Sequence, residues 1–479
     1  MAGFVDLLRG GRGPVTVTLS LGIALHAMDV FLVASVMPTV VADIGGLRFY
    51  AWVSMLYMVG SIVGAASSGP LRAAHGPRRA YVIAGGLFLL GSLGCALTPG
   101  MGWLLVTRGV QGLGGGLIVA QSMALVSELY TAQLRKLMLA SISSMWAAAA
   151  LLGPALGGMF AEAGWWRGAF GVNVPIIALF TILAARHLPR TLAPRSGQPF
   201  PIGRVMLLGG GVLCVAGAGQ AAGEALRLAI LALALMMVAH AFALDRRSSE
   251  RLFPRRAASL RSAVGLAYGL FVASSIVHTS ITVFVPLLMQ QAYDLRPLHA
   301  GYFASLLAVG WTTASLTTAR WHGAAERRAI VGGPLLMFAM TGVLLAGMGH
   351  LPAMAVGVCL TMLGFGVGML SIHLIAFTMH QASAGEESIT AGSIPTVRTL
   401  GIAFGSALAG VIANLAGLST QVDTAVVQRA VSAVYAASLL VAAVQVLLAW
   451  RLLRTAPLRR DPAWLPEAPG RSISGRSDV

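Results

Sequence analysis

The sequence predicts an all-α polytopic membrane protein, and three observations predict it. Hydrophobic residues fill 57% of the 479 positions and Gly fills 58 more, while only 10% of residues are charged. Soluble domains carry roughly 25% charge, so a water-soluble fold of this size could not cover its own surface. The apolar residues fall in continuous runs about 20 residues long, the length at which a helix crosses the hydrocarbon core. A transmembrane barrel would instead alternate in character over segments of ~10 residues, and a disordered chain would be far less hydrophobic.

The first run, Val15 to Pro38, is too long for a signal-peptide core, lacks a small-residue cleavage site and contains Asp29, so it is read as a span. Runs at about 50–71, 80–98, 102–126, 138–162 and 168–187 complete a set of six. A basic, Pro-containing stretch from Arg186 to Arg204 leads to two shorter runs, at about 205–222 and 226–244. A second break, Asp245 to Arg261, holds six Arg. Six further runs lie at about 262–289, 299–319, 329–349, 353–379, 393–416 and 431–453. The expected organisation is a six-helix bundle in 1–190, two inserted helices with basic flanks in 191–260, a second six-helix bundle in 261–455 and a cytoplasmic tail in 456–479.

The net charge of +17 would suggest nucleic acid if the chain were soluble. Its distribution points to a lipid bilayer instead. With the N-terminus inside, 26 of the 33 basic residues fall in inside segments and 5 in outside ones. Arg108 and Arg398 lie within spans. This asymmetry obeys the positive-inside rule and predicts fourteen spans with both termini cytoplasmic. The expected location is a bacterial inner membrane, with no nucleic-acid partner. Cys95, Cys214 and Cys359 sit in three different runs and read as small packing residues, not as a disulfide or metal set.

An internal repeat is visible. Pro77-Arg78-Arg79-Ala80 follows the second span, and Glu326-Arg327-Arg328-Ala329 occupies the corresponding loop of the last six, 249 residues later. Two six-helix halves rocking about a central site form a transporter architecture.

Several motifs then occur in a fixed order. The loop Gly69-Pro70-Leu71-Arg72-Ala73-Ala74-His75-Gly76-Pro77-Arg78-Arg79 is similar to G-x-L-a-D-r-x-G-r-k, with Ala73 at the acidic position. Span four reads Leu104-Leu105-Val106-Thr107-Arg108-Gly109-Val110-Gln111-Gly112-Leu113-Gly114, matching l-x-x-x-R-x-x-q-G-x-g. Span five contains Gly153-Pro154-Ala155-Leu156-Gly157-Gly158, matching G-P-x-x-G-G. Trp166-Arg167-Gly168-Ala169-Phe170-Gly171-Val172-Asn173-Val174-Pro175 is similar to W-R-x-x-F-x-x-N-x-P. Span one, from Met28-Asp29 to Met37-Pro38, is close to l-D-x-T-v-v-n-v-A-L-P, departing at Phe31 and Ala34. On these motifs the chain resembles the major facilitator superfamily and, within it, the fourteen-span drug:proton antiporters. The resemblance covers nearly the whole chain. It implies the major facilitator fold, two six-helix bundles with two inserted central helices, and proton-driven export of small amphipathic compounds. Its partners would be a small-molecule substrate and protons, with no cofactor and no metal.

On this basis individual residues take candidate roles. Asp29 is the only carboxylate deep in a span, and an ionised carboxylate in hydrocarbon is costly enough to need a reason. It is the candidate proton carrier, with a structural hydrogen-bond role as the alternative. Arg108 matches the motif of span four, and Arg398, in Thr396-Val397-Arg398-Thr399-Leu400-Gly401, resembles a polar position of the penultimate span; both are candidates for coupling. Gly69, Gly76, Arg78, Gly112, Gly153, Pro154, Gly157 and Gly158 are candidates for gating and helix packing, since small residues let helices approach closely. His26, Gln121, Trp146, His278, Trp311 and His373 are candidates for the substrate cavity, with plain helix packing as the alternative. Proton-coupled uptake or lipid translocation is the competing reading within transport. A membrane enzyme is disfavoured, because His240, His278, His373 and His380 are scattered without metal-ligand spacing. A need for a periplasmic adaptor leaves no mark in the sequence.

Overall fold

A computed structural model describes residues 4–9, 11–190, 202–221, 223–248, 251–383, 386–418 and 423–455. The expected tail and most of the basic stretch after the sixth run lie outside the described residues. The described chain forms fifteen α-helices and no strand. Those of the first half are α1 (Gly13–Ile44), α2 (Tyr50–Ala96), α3 (Met101–Leu129), α4 (Ala132–Glu162), α5 (Arg167–Gly171) and α6 (Asn173–His187). A hairpin of α7 (Ile202–Ala218) and α8 (Glu224–Arg247) follows. The second half contains α9 (Ala263–Thr282), α10 (Val285–Ala292), α11 (Pro297–Thr318), α12 (Ala324–Ala346), α13 (Ala353–His380), α14 (Glu387–Ala413) and α15 (Thr424–Thr455). Helices are the expected answer to a lipid solvent, because each satisfies its backbone groups internally.

Eleven helical segments among the described residues are long and apolar enough to cross a membrane. One of them contains α2, whose 47 residues would run ~70 Å if straight. It does not run straight. Gly76 sits at φ 75° and ψ 163°, and the helix folds there into two arms. A β-carbon at Gly76 would also lie 2.5 Å from the Arg190 carbonyl oxygen. Glycine is therefore required at this turn on two grounds. Arg78, just beyond it, donates from Nε to the Leu188 carbonyl at 2.6 Å and ties the turn to the end of α6. Gly69 differs from the expectation: a β-carbon there would meet nothing within 4 Å, so no close helix approach depends on it. Pro154 lies inside α4, which continues through it.

Among the described residues, buried side chains form two large cores that join the halves, one confined to the first half and one small cluster in the second. One shared core joins Leu32, Val36 and Tyr50 to Phe284, Leu288 and Leu307. The first-half core gathers Leu19, Tyr57, Tyr81, Phe88, Ile118 and Phe180. The other shared core seats Val205, Leu208 and Val212 of α7 against Val59 of α2 and Ala403 of α14. The inserted hairpin thus docks through α7 on a seam where the two halves meet, with α8 packed behind α7.

The two ends of the molecule differ. At one end lie Arg72, which pairs with Glu128 at 2.6 Å, and Arg251, which pairs with Glu386 at 2.7 Å. Asp245 there pairs with Arg204 and accepts the Leu252 and Phe253 amides at 2.8 and 3.0 Å. At the opposite end the halves close on each other. The Leu298 amide donates to Glu162 at 3.3 Å, Asn414 donates to the Arg48 carbonyl at 2.8 Å, and the Tyr50 and Phe284 rings stack at 5.3 Å. Toward the basic end α1 shows one accessible stripe, Val17, Ser20, Leu21, Ala24, Met28 and Phe31, at the spacing of a single helix face. Part of that stripe lines a cavity of about 410 Å³ with Leu7, Ser141 and Met145. The halves are bonded to each other at the opposite end, and the space between them toward the basic end is called the cleft; the cavity's lining residues all belong to the first half.

Candidate functional site

The centre of the first half is a polar cluster walled by apolar helices. Asp29 lies midway along α1, fully buried, off the accessible stripe. Facing it, α3 presents Arg108 and Gln111 one turn apart, and therefore on one face. Arg108 Nη1 donates to Asp29 Oδ2 at 2.6 Å and to Gln111 Oε1 at 2.5 Å. Gln111 Nε2 returns a bond to Asp29 Oδ1 at 2.8 Å and a second to Ser92 Oγ at 2.9 Å. The amide thus bridges cation and anion, its oxygen on the first and its nitrogen on the second. Asn173, the first residue of α6, adds a donor to Asp29 Oδ1 at 3.3 Å. Both carboxylate oxygens are occupied by donors, as burial of a charge requires.

Arg108 is held from the other side too. Its Nε donates to the Val53 carbonyl at 3.4 Å, and its guanidinium carbon lies 4.2 Å from the Tyr57 ring centroid. The Tyr57 hydroxyl bonds His26 Nδ1 at 2.8 Å, and the His26 ring meets Trp146 edge-on at 5.9 Å. Trp146 is 39% exposed. A continuous chain of contacts therefore runs from the accessible Trp146 through His26, Tyr57 and Arg108 to buried Asp29. The glycines of α3 make room for it. A β-carbon at Gly115 would stand 2.7 Å from His26 Nδ1, and one at Gly112 would stand 2.7 Å from the Tyr57 carbonyl carbon. Gly112 is thus required for packing on α2.

Span five supplies a different contact. A β-carbon on Gly153 would lie 2.7 Å from Phe31 Cβ, and one on Gly157 would lie 2.6 Å from the Leu32 carbonyl oxygen. Gly158 faces Leu298 backbone, and Gly301 of α11 faces Ser35 of α1 and Pro154. The Gly153-Pro154-Gly157-Gly158 set is therefore a junction of α1, α4 and α11, at the end where the halves close.

Arg398 stands apart from the Asp29 cluster. It is a half-buried residue of α14 in the second half, with its guanidinium carbon 4.8 Å from the Trp311 ring centroid. Trp311 in turn meets His278 edge-on at 5.8 Å. Two substrate candidates are placed elsewhere than expected. Gln121 is fully buried and donates to the Ala80 carbonyl at 3.3 Å, so it packs α3 on α2 and does not face the cleft. His373 is buried and stacks on Trp321 at 6.3 Å, away from the His278 and Trp311 pair. Sequence reasoning did not assign Tyr57 or Ser92, which carry no motif. It quoted Gln111 and Asn173 within motifs without giving them a role.

Comparison with known proteins agrees with this architecture. Residues 19–406 match the Major Facilitator Superfamily. A probable multidrug-efflux transporter of Mycobacterium tuberculosis is 33% identical over 421 residues, covering 84% of this chain and 88% of that protein. Multidrug resistance protein 3 of Bacillus subtilis is 25% identical over 410 residues, covering 83% and 79%. Among solved structures, a peptide transporter in complex with sulfate superposes with a TM-score of 0.67 at 17% identity, covering 95% of this chain and 99% of that one. The xylose transporter of E. coli, in a partially occluded inward-open conformation, gives a TM-score of 0.58 at 14% identity, covering 91% and 98%. At these identities the structural likeness speaks for the fold.

Proposed function

Because the chain belongs to the major facilitator superfamily, we propose that it is a secondary transporter that exports small amphipathic compounds against inward proton flow. The observation that carries this reading is the buried network of Asp29, Arg108 and Gln111. It lies on the hidden side of α1, whose other face is accessible and in part lines a cavity. The efflux names of the relatives support the direction of transport.

The proposed coupling follows from charge balance. A proton on Asp29 neutralises the charge that Arg108 faces. The tie between α1 and α3 then weakens, because it is the charge-assisted bonds that are the strong ones. The same α1 contributes Phe31, Leu32 and Ser35 to the junction with α4 and α11. Loosening α1 at its middle therefore acts on the closed end, which is the motion alternating access needs. We also propose fourteen crossings of a bacterial inner membrane with the basic end in the cytoplasm. The second arm of α2, α7 and α11 would supply the three crossings beyond the eleven most apolar segments.

The test is made in proteoliposomes with an imposed pH gradient and a panel of amphipathic dyes. Wild-type protein is expected to accumulate dye on the side from which protons leave. Asp29→Asn, which keeps the shape and an amide's hydrogen bonds, is expected to bind dye but not concentrate it. Gradient-driven accumulation by the Asn variant at the wild-type rate would remove Asp29 from the coupling step. Dye entering along with protons would favour uptake.

A further inference from the structure

Among the described residues, the second half holds a cation within a helix with no counter-charge. Arg398 makes no ion pair with any described residue, and its contact is with the face of Trp311. The acidic residue nearest to it along α14 on the membrane side of that helix is Glu387, eleven positions away at the basic end, or ~16 Å along the helix. No carboxylate lies in the middle of any second-half helix. Such a guanidinium in a membrane protein faces a water-filled cavity or awaits an anion.

Helix packing fixes which way it faces. On the first-half side, α11 seats against α4 and α1, and α14 seats against α2. Within the second half, α14 packs on α9, where Gly401 abuts Ser275 and Gly405 abuts Ile276. The Arg398–Trp311 contact therefore reaches from one inter-half seam toward the other, across the front of α9. By these contacts it lies on the face that looks at the first half. His278 completes this wall from α9, and all three side chains are half-buried. In the first half, the cation within a span, Arg108, is buried and already matched by Asp29.

We propose that this wall is the substrate subsite, and that it takes amphipathic aromatic anions. Their carboxylate or sulfonate would sit on Arg398 and their ring against Trp311 and His278. A planar guanidinium suits a carboxylate in two-pronged fashion, and the indole offers the flat apolar surface. The substrate role follows from the transporter reading above; the binding chemistry is tested apart from it.

The test is equilibrium binding of 2-naphthoate and its uncharged amide, 2-naphthamide, to the full-length protein in nanodiscs, with empty nanodiscs as reference. Wild type is expected to bind the acid roughly tenfold or more tightly than the amide, as one charged hydrogen bond warrants. In Arg398→Gln the ratio is expected to fall to about one, and Arg398→Lys should keep part of it because the charge remains. Trp311→Ala should weaken acid and amide alike. Equal binding of acid and amide by wild type would overturn the proposal without any variant being needed. So would an acid preference that survives in Arg398→Gln. An acid preference lost in Arg398→Gln would uphold it even if no proton-driven export were found, and export without that preference would leave the transporter reading standing alone.

Discussion

Arg108 shows how a buried charge is made tolerable, and how it becomes vulnerable. It is 1% exposed and faces Asp29, Gln111, the Val53 carbonyl and the Tyr57 ring. Removing one partner of a buried ion pair strands the other, typically at ~3–5 kcal/mol. Arg108→Ala is therefore expected to lower the melting temperature of the purified protein sharply and to abolish transport. The double variant Asp29→Asn with Arg108→Gln removes both charges. It should recover much of the lost stability while remaining unable to use a pH gradient. A double variant that transports normally would reduce the pair to a structural role. Arg108→Lys can keep the two bonds that Nη1 makes to Asp29 and Gln111 but loses the Nε bond to the Val53 carbonyl and the planar face on Tyr57, so it is expected to restore stability better than transport. Of these partners, Asp29, Arg108, Gln111 and Asn173 were legible because each stands in a motif. Tyr57 and Ser92 were not, since a lone hydroxyl in an apolar run looks the same whether it bonds a neighbour or its own helix.

At the scale of the helix, small residues decide where the halves touch. Gly157 and Gly158 lie where α4 meets the backbones of α1 and α11. An added methyl there must push a helix aside, and overpacking of this kind costs about 1–3 kcal/mol. Gly157→Ala and Gly158→Ala are expected to cut dye transport strongly while the protein still inserts and purifies. Gly69→Ala is the matched control, because a β-carbon there meets nothing and activity should stay near wild type. Gly76→Ala should behave differently again. Its positive φ and the nearby Arg190 carbonyl make the turn between the arms of α2 intolerant of any side chain, and a loss of folded yield is expected. The sequence marked all four glycines alike. Only the packing separated Gly69, which is spare, from those that hold helices together.

For the whole molecule, the inserted hairpin is the feature that most affects topology. It docks through α7 on α2 and α14, and the segment after α8 is tied to α14 by the Arg251–Glu386 pair. If α7 and α8 both cross the bilayer, reporter fusions after His187, Gly223 and Arg247 are expected to read inside, outside and inside. An inside reading at Gly223 would leave the hairpin on one face and reduce the crossings to twelve. The hairpin's span in sequence was legible from two apolar runs between basic breaks. Its seat was not, because both of its helices are apolar on nearly every side.

By itself the sequence determined the class, the helical runs, the sidedness of charge and the motif residues around Asp29. These follow from what lipid demands of any chain: apolar surface of the right length, internally satisfied backbone, and most arginines kept out of the hydrocarbon. Only the tertiary structure decided that Asp29 meets residues 79 and 144 positions away, that Gln121 faces α2, and that Arg398 lies on the face of Trp311 with no ion pair among the described residues. The reason is physical. In water, the apolar stripe of a helix reports which side is inside. In a bilayer, lipid and protein core are equally apolar, so periodicity loses that information. What then sets the rotation of each helix is the fit of glycines against backbones and the pairing of a few polar groups, and those partners lie in other helices.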